Sequence, residues 1–253
     1  MRALSRSLMP IVLAGVAAAQ IQESRPTSQP RPDLEQEFAA ARARYNEALR
    51  AASQAKDQET VKQLLAENPA LVFGPRFAAK AKEHAGTPEA VPYLVWMVGN
   101  AHADLGADAL TTLMEQHVTD PRIGRAVARL STLGGKIGTE RARTWAAQVI
   151  EKNPDLEVRM QARFTRATMH VGTRARERSE ALRQGAIADL KEVLAGSTQR
   201  SLQGLAADLL YEAETLEPGL PAPEIEGEDL DGARFKLSEY RGKVVLLDFW
   251  GDW

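Results

Sequence analysis

The sequence predicts a mainly α protein: an irregular helical array followed by the opening of an α/β domain, a β-hairpin plus one buried strand. Three observations lead there. From Asp33 onward, apolar residues recur at steps of three and four, the spacing of an amphipathic helix. Asn-Pro, Asp-Pro and Gly-Gly breaks cut that region into short helical lengths with no long period-two alternation. After Leu216 the pattern changes to two short extended runs around Asp231-Gly232 and a run over 244–250 that is apolar except for Asp248.

Composition sets the limits. The chain has 253 residues, 44% of them hydrophobic, enough to build a core and to exclude wholesale disorder. With 32 Lys+Arg against 34 Asp+Glu and a net charge of −2, no strongly basic face argues for nucleic acid. Cysteine is absent, so the polypeptide holds no disulfide, thiolate metal site or cysteine nucleophile.

The N-terminus has the parts of an export signal in order. Arg2 and Arg6 supply positive charge, residues 8–18 an apolar stretch, and Ala17-Ala18-Ala19 a small-residue cleavage site before Gln20. Residues 1–19 are therefore expected to be a cleaved signal peptide. The apolar stretch is too short to span a bilayer comfortably. No cysteine follows it for lipid attachment, so a periplasmic or secreted product is expected, with no membrane association beyond the signal. Residues 20–32 read as a linker, extended by Pro26, Pro30 and Pro32.

Residues 33–216 form the expected helical domain. Asp33 is placed to cap a long helix carrying Phe38, Ala41, Tyr45, Ala48, Leu49 and Ala52 on one stripe. The breaks then predict helices over 61–66, 76–84, 90–103, 107–118, 123–133, 139–152, 156–171, 177–195 and 199–216. Two stretches, QLLAENPAL at 63–71 and QVIEKNPDL at 148–156, resemble a tetratricopeptide-type helix end and restart. They do not lie a whole number of periods of about 34 residues apart, so an irregular array is expected instead.

Glu217-Pro218-Gly219-Leu220-Pro221 breaks any helix and marks a domain boundary, with residues 217–253 beyond it. Asp231-Gly232 signals a tight hairpin turn between runs 224–230 and 234–237. The run beginning Val244-Val245-Leu246-Leu247 suits a strand covered on both faces, as in a parallel sheet.

Taken in order, Ala222-Pro223, Asp229-Leu230-Asp231-Gly232, Phe235-Lys236-Leu237-Ser238, Tyr240-Arg241-Gly242-Lys243-Val244-Val245 and Asp248-Phe249-Trp250-x-x-Trp253 resemble the start of the thioredoxin-like redoxin superfamily. The likeness is to the TlpA/ResA-type disulfide reductases and the alkyl hydroperoxide reductase/thiol-specific antioxidant group, and it covers residues 222–253 alone. Gly251-Asp252 departs from the Ala-Thr or Ala-Ser more usual there. The resemblance implies that the residue after Trp253 would be the first cysteine of a C-x-x-C pair, at a helix N-terminus that lowers its pKa. Trp250 and Trp253 then lie nearest the redox centre, in packing and shielding roles. The chain as given is expected to be inactive, with no catalytic residue of its own. Its complete form would act on protein thiols and disulfides or on a peroxide. Three accounts of the end at Trp253 stand side by side: a fragment, a nonsense mutation, or a selenocysteine codon. The rival reading is a non-enzymatic helical scaffold that binds a protein partner and carries a vestigial stub. In either case residues after 217 are expected to pack poorly or to dock on the helices.

No cofactor or metal is expected. His84, His102, His117 and His170 have no partner ligand at helical spacing. Residues 133–139 lack the full phosphate-loop spacing and read as a helix-to-helix turn. Arg174-Ala175-Arg176-Glu177-Arg178 reads as a solvated helix start, and Trp96-Met97 as core.

Overall fold

The structure is a computed structural model that describes residues 33–171, 179–216 and 218–248. The expected signal peptide 1–19, the linker 20–32, the basic stretch 174–178 and the two tryptophans Trp250 and Trp253 lie outside the described residues.

The helical region follows the predicted order, with instructive changes at its breaks. Helix α1 spans Asp33–Gln54 and α2 Gln58–Ala66, the latter capped by Asp57, whose carboxylate accepts from Thr60 N at 3.1 Å. Helix α3, Pro69–Glu83, starts well before the expected residue 76 and runs through Gly74-Pro75. Asn68 caps it, accepting from Ala70 N at 3.0 Å, and Pro69 occupies the first turn, where a missing N–H costs nothing. Pro75 forfeits one helical hydrogen bond. Burial of Phe73 and Phe77 on either side of it, each worth roughly 1.5–3 kcal/mol, holds the segment helical.

A 3₁₀ turn at Pro88–Ala90 leads into α4, Val91–Asn100, and α5 follows at Ala103–Gln116. The expected helix 90–103 therefore ends three residues early. Asn100 turns its side-chain amide back to Trp96 O at 2.9 Å, and the chain bends at Ala101-His102. A Cβ at Gly106 would stand 3.4 Å from Met97 O, so the missing side chain lets α5 approach the backbone of α4.

The expected helix 123–133 is instead divided. A 3₁₀ turn at Pro121–Ile123 passes into α6, Gly124–Val127, and after Ala128-Arg129 comes α7, Leu130–Ile137. Gly134-Gly135 does not stop α7. The stop is Gly138, at φ 91°, a backbone angle that residues with a Cβ rarely adopt. Helices α8, Thr139–Lys152, and α9, Leu156–Val171, have the predicted bounds. Helices α10, Glu180–Gly196, and α11, Arg200–Thr215, complete the series.

Successive helices pack on one another along the array, and the apolar side chains form two clusters. In the larger, Phe77 stacks on Trp96 with ring centroids 3.6 Å apart, and Phe38 meets Trp96 edge-on at 4.8 Å. In the smaller, α10 and α11 contribute Ile187, Leu190, Val193 and Leu202. Helix α9 belongs to both, giving Val158, Ala162 and Met169 to the larger and Met160, Ala167 and Val171 to the smaller.

The two Asn-Pro restarts share one local device and differ in context. Each asparagine accepts from the amide two residues on, Ala70 or Asp155. Asn153 is 2% exposed and also donates to Val118 O and Asp120 O, at 2.8 and 3.0 Å. Asn68 makes no such bridge among the described residues.

After Leu216, strands β1, Glu226–Glu228, and β2, Arg234–Lys236, pair antiparallel with Gly227 opposite Phe235. This is the hairpin expected around Asp231-Gly232. The buried strand expected after Lys243 is not present among the described residues. Residues 244–248 have no strand pairing, with Val244 103% and Leu246 92% exposed. A central parallel strand takes its hydrogen bonds from neighbours on both sides and its cover from helices. Among the described residues β1 and β2 form the whole sheet, so neither condition is met.

Candidate functional site

The segment that leads toward Trp250 and Trp253 is built by short-range polar bonds. Asp229 Oδ1 accepts from Asp231 N at 3.0 Å and Ala233 N at 2.9 Å, while Gly232 takes φ 79° to close the turn. The Phe235 ring lies over Gly227, where a Cβ would stand 3.2 Å from it. Lys236 Nζ pairs with Glu226 across the strands at 2.6 Å. Glu224 ties the hairpin base to the 3₁₀ turn Leu237–Tyr240, accepting from Ser238 N at 2.9 Å. Hydrogen bonds from Ser238 hold the Glu224 carboxyl below the ordinary carboxylate range. Lys243 Nζ lies 5.4 Å from the Tyr240 ring centre, within cation–π reach. The apolar run 244–247 leaves this turn uncovered. Among the described residues, neither apolar cluster of the helical region includes one beyond Leu216, so the described part of the segment shares no core with the helices.

Trp250 and Trp253 lie outside the described residues, and the chain has no cysteine, so the described segment carries no redox group.

The histidines are dispersed. His84 stacks on Tyr93 at 5.8 Å, and His102 stands at the N-cap of α5, 3.6 Å from Asp104. His117 is buried at the end of α5. His170 lies on α9, where burial, and then the nearby Arg143 and Arg166, push its pKa below the ordinary value. Among the described residues no three His, Cys, Asp or Glu side chains gather to hold a metal ion. Residues 133–139 form the end of α7 and the turn into α8, and Trp96 and Met97 are core, both as read from sequence.

Two polar groupings escaped the sequence reading. Asp189 is 2% exposed and binds Arg163 at 2.8 Å and Arg166 at 2.7 Å, joining α10 to α9. The legible signals were two arginines one turn apart on α9 and a single aspartate between Ile187 and Leu190. The second is a cleft to which Arg122, Arg125 and Arg129 contribute, at positions i, i+3 and i+7 of one run.

With this geometry in view, the comparisons with known proteins bear on the C-terminal resemblance. No family model matches the chain, and no solved structure matches it. Curated relatives do. The thiol-disulfide oxidoreductase ResA of Geobacillus thermodenitrificans is 40% identical over 47 residues, 19% of this chain and 27% of that protein. The ResA of Bacillus subtilis is 45% identical over 40 residues, 16% of this chain and 22% of that protein. The ResA of Geobacillus kaustophilus is 51% identical over 35 residues, 14% of this chain and 20% of that protein. The chain thus covers about a fifth to a quarter of the length of these three relatives. The likeness is to part of a thiol-disulfide oxidoreductase, and most of this chain lies outside the matched stretches. Among the described residues, no helix is long and apolar enough to cross a membrane.

Proposed function

We propose that this polypeptide is the leading part of an exported thiol–disulfide oxidoreductase. Residues 1–19 direct export and are removed, residues 33–216 form a helical body that positions a protein partner, and residues 217–253 begin a thioredoxin-like domain. The observation that carries the reading is the identity, at 40–51%, with short stretches of three ResA thiol-disulfide oxidoreductases. The ordered Asp-Gly hairpin and the apolar run leading to Trp250 and Trp253 support it. The reactive sulfur or selenium belongs to sequence following Trp253, as the first member of a C-x-x-C-type pair. There it would attack a substrate disulfide, releasing one substrate thiolate and forming a mixed disulfide. The second cysteine would then displace the other substrate thiolate, leaving the substrate reduced and the enzyme pair oxidised. Trp250 and Trp253 would pack beside that pair.

Two measurements test this. The nucleotide sequence after the Trp253 codon should encode a C-x-x-C-type pair, or an in-frame TGA followed by x-x-Cys, and then the rest of a thioredoxin-like fold. Insulin-disulfide reduction should be absent with the chain as given and present with the extended chain, and Cys→Ser at the first position should abolish it. Peroxide consumption by the extended chain without disulfide reduction would instead assign the peroxidase branch. A second reading, a helical scaffold, is favoured by the confinement of both apolar clusters to the helical region. Absence of both activities from the extended chain would favour it.

A further inference from the structure

The helical body has a cleft of about 330 Å³ where α1, α4 and the run from Pro121 to Arg129 meet. That volume falls at the lower end of small-molecule sites. Pro92, Val95 and the indole of Trp96 contribute apolar surface, and Gly99 leaves open space where any other residue would place a side chain. Arg122, Arg125 and Arg129 supply the charge.

The arginines are not equivalent. Arg122 is occupied, bound to Asp120 at 2.6 Å and to Pro88 O at 2.7 Å. The guanidinium groups of Arg125 and Arg129 have neither hydrogen bond nor ion pair among the described residues. They stand at i and i+4, where like charges repel along a helical run. Glu35 also lines the cleft, without pairing to either. Trp96, which also lines the cleft, is 8% exposed, and its Nε1–H is buried with no acceptor among the described residues. Two guanidinium groups without a protein partner and an apolar wall together describe a site for an anionic head on an apolar body.

We infer that this cleft binds a small organic anion, a carboxylate or phosphate carried on an apolar or aromatic group. Arg125 and Arg129 hold the anionic oxygens through charge-assisted hydrogen bonds, and Pro92, Val95 and Trp96 receive the apolar part. Glu35 opposes the anion and limits its affinity.

The test is titration of the full chain with phenyl phosphate, benzoate and inorganic phosphate, following the Trp96 indole N–H resonance, assigned with Trp96→Phe. Phenyl phosphate and benzoate should each shift it saturably, and inorganic phosphate should bind more weakly than phenyl phosphate. Arg125→Gln with Arg129→Gln should weaken phenyl phosphate about ten-fold or more, with circular dichroism and melting temperature unchanged. Glu35→Gln should tighten it roughly two- to five-fold, a change that loss of structure would not produce. A shift that never saturates, an affinity indifferent to the arginine pair, or a weaker complex with Glu35→Gln would overturn the site. Equal affinity for inorganic and phenyl phosphate would overturn the role of the apolar wall. None of these readings depends on redox chemistry at the C-terminus.

Discussion

Asp189 shows how one charged residue can be held inside a helical core. Its carboxylate is almost fully withdrawn from water and met by two guanidinium groups from the neighbouring helix, three hydrogen bonds in all. A buried charge without partners would be prohibitive, and removing one partner of a buried pair is costly because the other is stranded. Asp189→Asn is expected to destabilise the helical body by about 2–3 kcal/mol in urea unfolding. The partly exposed arginines keep it below the cost of a fully buried pair. His170, close by, gives a pH signature. Its folded pKa is depressed from 6.5, first by burial and then by Arg143 and Arg166, against the opposing charge of Asp189. The unfolded chain therefore takes up the proton more readily. The stability His170 contributes is present above pH 6.5 and is lost as pH falls through its folded pKa. Unfolding free energy should decline across that window, and His170→Asn should flatten the slope.

At the scale of the element, the hairpin after Leu216 is a local structure, held by its own turn. Asp229 satisfies two amides and Gly232 supplies the positive φ, so the turn chemistry sets the pairing of Gly227 with Phe235. Asp229→Ala should erase the cross-strand nuclear Overhauser contacts between those two residues and leave the thermal midpoint of the helices unchanged. The helices behave in the opposite way. Helix α3 continues through Gly74-Pro75, and α7 through Gly134-Gly135, because buried neighbours such as Phe73, Phe77, Leu133 and Gly134 recover what the local sequence loses. Sequence punctuation fails where tertiary packing offsets it.

Over the whole molecule, two apolar clusters joined through α9 form the core of the helical region, and no described residue after Leu216 enters either of them. A chain ending at Leu216 is therefore expected to melt, by circular dichroism, at the temperature of the full chain. A drop of several degrees would show that the C-terminal segment docks on the helices after all. The exposed run Val244-Val245-Leu246-Leu247 has high β-propensity and carries no charge, the profile of a segment that seeks other strands. In the proposed reading those strands come from the remainder of a thioredoxin-like domain.

Much of this architecture was legible from residues alone. The helical class, the Asp231-Gly232 hairpin and the bounds of α8 and α9 depend on near neighbours: apolar spacing, caps, proline and glycine. Such interactions act within a turn or two of chain, so the sequence determines them directly. Tertiary structure decided the rest. It buried Asn153 and Asp189 between helices, carried α3 and α7 past their apparent breaks, and left 244–247 bare. It also turned three arginines into the wall of one cleft. Each of those outcomes depends on which distant surfaces meet, because burial and electrostatic pairing are properties of the assembled environment and not of the residue that experiences them.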